Sequence, residues 1–112
     1  MGDSFRPITA FGKNAAQIHY NTKPATDVRI TNESLYMCDT GGQYLEGTTD
    51  ITRTLHFGTP TAYQKEMFTR VFKGQAAVSM TKFPMKTKGR ALDTIARKSL
   101  WEVGYDTIKR IL

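Results

Sequence analysis

Two carboxylates, Asp39 and Asp50, sit where their spacing could do chemistry. They lie in the stretch Leu35 to Phe57, Leu-Tyr-Met-Cys-Asp-Thr-Gly-Gly-Gln-Tyr-Leu-Glu-Gly-Thr-Thr-Asp-Ile-Thr-Arg-Thr-Leu-His-Phe. The apolar run Leu35 to Cys38 delivers Asp39, and a link bearing Gly41, Gly42 and Gly47 follows. An alternating run then starts at Asp50. Asp50, Thr52, Thr54 and His56 share one face, and Ile51, Arg53, Leu55 and Phe57 share the other. Alternation beside a β-rich apolar run predicts two strands joined by a short turn. A turn centred on Tyr44 and Leu45 sets Asp39 directly opposite Asp50. Directly opposed residues have Cβ atoms roughly 5 Å apart, and like charges there repel. Such a pair needs a shared proton, a basic partner or a metal cation. The alternative is that one aspartate merely caps a turn through its own backbone. Spacing alone leaves both open.

Two histidines could join this chemistry. His56 shares a face with Asp50, but six residues of extended strand span roughly 20 Å, too far for one metal, so His56 reads as structural. His19 falls in Ala15 to Tyr20, which reads as a short strand, and on its own it reads as a core histidine held by one hydrogen bond.

The elements that must position these groups follow from the same patterns. Ser4 to Tyr20 opens with a loop-like segment punctuated by Pro7 and Gly12. Asn21 to Glu33 is polar and reads as a surface connection. Thr59-Pro60 opens a helix, with Pro60 suited to the first helical position and Thr61 and Gln64 forming a capping box. Tyr63, Met67, Val71, Gly74 and Val78 recur at helical spacing, and Phe68 and Phe72 widen the stripe, which reads as core packing over one face of the sheet. Thr81 to Arg90 is a basic loop. A second helix runs from about Arg90 to Val103, burying Leu92, Ile95, Ala96, Ser99, Leu100 and Val103, with Gly104 as its C-cap and Asp93 as a first-turn charge.

The 112 residues suffice for one small domain. No stretch approaches the about twenty apolar residues of a membrane span. Met1 to Arg6 lacks the organisation of a signal peptide, and Arg6 breaks the myristoylation pattern. The single cysteine, Cys38, excludes an internal disulfide and reads as a reduced core residue. The net charge of +6 raises the question of nucleic acid. The basic residues are spread rather than blocked, no nucleic-acid-binding motif accompanies them, and solvated helix and loop faces account for them.

Asp39-Thr-Gly-Gly-Gln-Tyr, Gly47-Thr-Thr-Asp-Ile-Thr-Arg-Thr and His56-Phe-Gly-Thr-Pro together resemble the core of Xaa-Pro aminopeptidase (aminopeptidase P). That family shares the pita-bread fold of creatinase, prolidase and methionine aminopeptidase. The resemblance continues through Ala62-Tyr63-Gln-Lys-Glu, Lys73-Gly74, Thr87-Lys88-Gly89 and Ser99-Leu100-Trp101, from about Ser4 to about Asp106, and is strongest to the cytosolic type. It implies an α+β fold, a partial pita-bread of antiparallel strands with two helices packed on one face. Residues 1–112 would form the first half of the catalytic domain. It implies two divalent metal ions, Mn²⁺ being suited to an oxygen-rich site, with Asp39 a terminal ligand and Asp50 bridging. It gives His19, in the Asn-x-Ala-x-Ile-His-Tyr type of segment, a substrate-positioning role rather than a metal-ligand role. The implied substrate is a peptide with proline in second position, the implied assembly a homodimer, and the implied compartment the cytoplasm, with no membrane or nucleic-acid partner. Thr40 and Gly42 depart mildly from the family's Asp-Ser-Gly-Ala-Gln-Tyr and retain the ligand.

The family continues into a His-Gly-x-Gly-His-Gly segment and two later glutamates that complete the metal site. Here Lys109 takes the place of the first histidine, and Leu112 falls just before the second. With two aspartates a minority of the ligands, the 112-residue chain is expected not to cleave before proline by itself. An unpaired sheet edge and an uncovered apolar face are expected too, with marginal stability or association. The alternative function is a non-catalytic product that associates with and modulates full-length subunits.

Overall fold

Alternation and a tight link dictate a hairpin, and a hairpin is what the chain builds, with a different centre. The computed structural model describes residues 1–105. They form two compact units, one spanning Met1–Pro60 and the other starting at Thr61.

In the first unit the short strands are β1 (Gly2–Asp3), β2 (Ile8–Phe11), β3 (Leu35–Thr40), β4 (Gly42–Gln43) and β5 (Ile51–His56). An antiparallel sheet has the order β2-β3-β5, and β1 pairs separately with β4. Strand β2 lies where the sequence reads as a loop. Its Ile-Thr-Ala-Phe alternates, but four residues after a proline are too few to stand out from loop.

The β3–β5 register pairs Asp39 with Thr52, Met37 with Thr54 and Leu35 with His56. The same register continues outward through the Gln43–Thr48 bridge and the Thr49 N–H bond to the Gly42 carbonyl. It closes where the Tyr44 N–H donates to the Gly47 carbonyl at 2.9 Å. The turn therefore centres on Leu45 and Glu46, one residue beyond the expected centre. This overturns the direct opposition of Asp39 and Asp50. Moving a turn centre by one residue changes the partner by two, so both aspartates keep their face and become diagonal neighbours. The close approach expected at the glycines is real at Gly41, where a Cβ would lie 2.1 Å from the Thr49 carbonyl oxygen and 2.3 Å from Ser4 Oγ.

Ala15 to Tyr20 is not a strand. Gly12–Ala16 is a 3₁₀ helix entered through Gly12 at φ +55. A turn then brings the Tyr20 N–H to the Gln17 carbonyl at 3.2 Å. Buried polar bonds hold this segment. Asn14 Nδ2 donates to the Thr26 carbonyl at 2.9 Å and to Tyr20 Oη at 3.2 Å, and Tyr20 Oη donates to the Thr26 carbonyl at 3.0 Å. Asn14 is 3% exposed, so without these bonds its amide would carry a desolvation cost of about 1–3 kcal/mol.

In the second unit α1 (Ala62–Met80) starts from the expected capping box. Gln64 N–H donates to Thr61 Oγ1, and Thr61 N–H donates to Gln64 Oε1. Thr61 is the N-cap, so Pro60 stands one residue before it rather than at the first helical position. Helix α2 spans Gly89–Trp101. The two helices cross where Gly74 meets Ala96, whose carbonyl oxygen would lie 2.0 Å from a Cβ on Gly74. Beside that crossing Ser99 Oγ donates to the Arg70 carbonyl, and Arg70 Nη1 donates to the Ser99 carbonyl at 3.0 Å. Met67 and Gly74 are the buried members of the α1 stripe. Tyr63, Phe68, Val71 and Phe72 are exposed, so the stripe is narrower than the sequence suggests.

The α2 face follows expectation at Leu92, Ile95, Ala96, Ser99 and Leu100, but Val103 is exposed. Gly104, at φ +79, ends the helix. Its N–H bonds the Trp101 carbonyl, and the Tyr105 N–H bonds the Leu100 carbonyl, a Schellman closure. Asp93 pairs with Arg97 at 2.7 Å. Lys109 and Leu112 lie outside the described residues.

Candidate functional site

Asp39 reaches its place through β3, which has a neighbour on each side. Ile8 of β2 flanks Asp39 on one side and Thr52 of β5 on the other. Asp50 immediately precedes β5, on the same face as Thr52. Diagonal neighbours of this kind have Cα atoms about 7–8 Å apart. That spacing eases the direct repulsion expected from opposed carboxylates and leaves room for something between them.

Asp39, Asp50 and His19 line one cavity of about 430 Å³, together with Phe5, Arg6 and Pro7. The histidine arrives from a different part of the unit by the Gln17–Tyr20 turn. It takes φ +53, a left-handed conformation uncommon for a side-chain-bearing residue. Tyr20, anchored in the Asn14–Thr26 network, fixes the turn, while the His19 side chain is exposed to the cavity. Strained backbone held in place by buried bonds is the kind of cost that binding sites carry.

Asp39 is half-buried, and its Oδ1 is fully enclosed with no hydrogen-bond partner among the described residues. A buried, unsatisfied carboxylate oxygen is unfavourable, and it is the one such side-chain atom among the described residues. A hard cation is one ligand that satisfies such an oxygen, as a water or an N–H donor also does, and Asp50 is the exposed carboxylate that lines the same cavity. The donor set fits a divalent metal held from one side. Among the described residues no group of three or more His, Cys, Asp or Glu converges on a point, so these residues supply part of a coordination shell.

His56 does not belong to the cavity. It pairs opposite Leu35 at the far end of β5, and its Nδ1 accepts from the Gly58 N–H at 3.0 Å, a local structural bond. On the opposite face of the sheet, burial raises the Tyr36 phenol above its ordinary value, helped by a hydrogen bond with Cys38. Cys38 is a free thiol. The sequence reading misses Phe5, Arg6 and Pro7 as cavity residues. The signal that could have found them is the Ile8–Phe11 alternation, which folds the preceding residues onto the hairpin.

The family model for metallopeptidase family M24 matches residues 1–111. The chain is 57% identical over 106 residues to the Xaa-Pro aminopeptidase ApepP of Drosophila melanogaster, covering 95% of this chain and 17% of that protein. It is 50% identical over 105 residues to Xaa-Pro aminopeptidase 2 of Mus musculus, covering 94% of this chain and 16% of that protein. Among solved structures it superposes on X-prolyl aminopeptidase from Caenorhabditis elegans, described as a cytosolic enzyme with a di-nuclear active site. The TM-score there is 0.83 and the identity 34%, covering 94% of this chain and 17% of that one. Prolidase from Pyrococcus furiosus gives a TM-score of 0.77 at 32% identity, covering 92% of this chain and 29% of that one. The chain thus spans about one sixth of the length of the aminopeptidases it matches. The fold is the expected α+β, partial pita-bread arrangement. Among the described residues no helix is long and apolar enough to cross a membrane.

Proposed function

The chain belongs to metallopeptidase family M24, and from that premise we propose that it carries the aspartate half of a dinuclear aminopeptidase site. The activity is release of an N-terminal residue that precedes proline. Asp39 would be a terminal ligand and Asp50 the bridging one, for two divalent ions of which Mn²⁺ suits the oxygen donors. Residues 1–112 are read as part of one catalytic domain, working in the cytosol like the Caenorhabditis elegans enzyme. The observation that carries this reading is the enclosed, unpartnered Oδ1 of Asp39 in a cavity shared with Asp50 and His19.

When bound, the metal pair supplies Lewis acidity toward the scissile carbonyl and the attacking water. The chain's own residues do the rest. β3 holds Asp39 and the entry to β5 holds Asp50 at diagonal spacing, so little is spent on ordering them at the moment of binding. The His19 imidazole, presented by a constrained turn, hydrogen-bonds the substrate peptide group and orients it. Two carboxylates alone hold a metal weakly, and Asp39 and Asp50 supply part of a coordination shell. The remaining ligands would come from outside the described residues.

Mn²⁺ titration followed by electron paramagnetic resonance tests the reading. The wild-type chain should bind weakly, and Asp39→Ala or Asp50→Ala should each remove that binding. Unchanged Mn²⁺ affinity in the double variant would overturn it.

A further inference from the structure

Among the described residues Arg6 is the only Lys or Arg that lines the Asp39–Asp50 cavity. Its backbone is fixed from both sides by the hairpin that carries the aspartates. On one side the Ser4 N–H donates to the Gly41 carbonyl at 3.0 Å, and Ser4 Oγ donates to the Thr49 carbonyl at 3.0 Å. On the other, Ile8 is in register with Asp39. Phe5 packs against Gly41, with its Cε1 2.8 Å from where a Cβ would stand. Pro7 locks its own φ and biases Arg6 toward extended backbone. The segment Phe5-Arg6-Pro7 therefore lines the cavity as a short bracket, and Arg6 is exposed.

Both carboxylates line the same cavity, yet the ion pairs among the described residues are Arg70–Glu66 and Arg97–Asp93. Among the described residues Arg6 makes no ion pair with either aspartate, and Asp39 Oδ1 stays enclosed without a partner. The cation and the aspartates are thus kept for different groups of a ligand. A guanidinium favours a carboxylate, which it can grip with two parallel N–H bonds. A peptide lying across the carboxylates extends at most about 3.3–3.6 Å per residue. Arg6 and the two carboxylates line one cavity of about 430 Å³, the volume within which such a peptide would have to lie.

We infer that Arg6 is a specificity-determining residue that receives the C-terminal carboxylate of a short peptide whose reacting bond lies at Asp39 and Asp50. The inference rests on the proposed function. It makes the site prefer short peptide acids to the same peptides with a blocked or distant carboxyl end.

The test follows nuclear magnetic resonance shifts in the ¹⁵N-labelled 112-residue chain with Zn²⁺, which is diamagnetic, at saturating concentration. Ala-Pro-Ala and its C-terminal amide are titrated separately. The acid should bind about three- to fivefold tighter than the amide, the scale of one solvent-exposed charge pair. The Arg6 Nε–H resonance should move with the acid alone. Arg6→Gln should equalise the two peptides, and Arg6→Lys should retain part of the preference. Equal affinity for acid and amide in the wild type, or a preference that survives in Arg6→Gln, would overturn the inference. If Zn²⁺ shifts the Asp39 and Asp50 resonances and both peptides bind alike, only the role of Arg6 falls. If Zn²⁺ leaves those resonances unmoved and neither peptide binds, the proposed function falls and takes this inference with it.

Discussion

Replacing Asp39 with alanine should stabilise the metal-free chain and abolish its stabilisation by metal. The enclosed Oδ1 has no partner, and an unsatisfied buried acceptor costs about 1–3 kcal/mol. Alanine in a strand flanked on both sides loses roughly 0.5–1 kcal/mol of cross-strand packing. The balance favours the variant by about 1 kcal/mol in the absence of metal. With metal present the order reverses. A ligand held only by the native state adds about 2.7 kcal/mol at a free concentration one hundred times its Kd, and the variant gains none of this. Urea unfolding with chelator and then with Mn²⁺ reads both halves, with the m-value checked for constancy. A metal-free Asp39→Ala chain clearly less stable than wild type would refute the reasoning, because Oδ1 would then have a stabilising partner. Equal stabilisation of both chains by Mn²⁺ would refute it too.

Other consequences are equally concrete. Gly74→Ala drives a Cβ into the Ala96 carbonyl oxygen, and overpacking of about 1–3 kcal/mol outweighs the roughly 1 kcal/mol gained in helix propensity, so thermal melting should show a lower Tm. Tyr20→Phe removes the hydroxyl that ties the His19 turn to Thr26, at a cost of about 1–2 kcal/mol; hydrogen exchange at Gln17 to Tyr20 should quicken while α1 and α2 stay protected. The Arg97 hydrogen bond holds the Asp93 carboxyl below its ordinary 3.8, so the contribution is present above that value and lost as pH falls through the lower folded value. Asp93→Asn should therefore weaken α2 at neutral pH and match wild type in strong acid by circular dichroism.

What was legible in the sequence was local. The capping box needs only Thr61 and Gln64, and the Schellman closure needs little beyond Gly104, so both were readable at once. The face shared by Asp39 and Asp50 was readable because alternation fixes parity. Their pairing was not, because parity is blind to a shift of two and Leu45-Glu46 lacks the Asn-Gly type of signal that pins a turn. Ala15 to Tyr20 has the composition of a strand, yet Gly12 and the buried Asn14 amide bend it into a helical turn, a tertiary decision. Tyr63 and Val71 keep helical spacing but are exposed, because the α1 face turned to α2 is the one that carries Met67, Arg70 and Gly74. Arg6 was not read as a cavity residue because the Ile8–Phe11 alternation signals a strand without recording that Ser4 and Ile8 meet a hairpin more than thirty residues away.

The position of a bound ion tests the central claim most directly. Anomalous scattering at the manganese edge, from crystals of the chain equilibrated with Mn²⁺, should give a peak inside the cavity, ligated by Asp39 Oδ1 and a carboxylate oxygen of Asp50. A peak elsewhere on the molecule, with the Asp39–Asp50 cavity empty at the same Mn²⁺ concentration, would contradict the account.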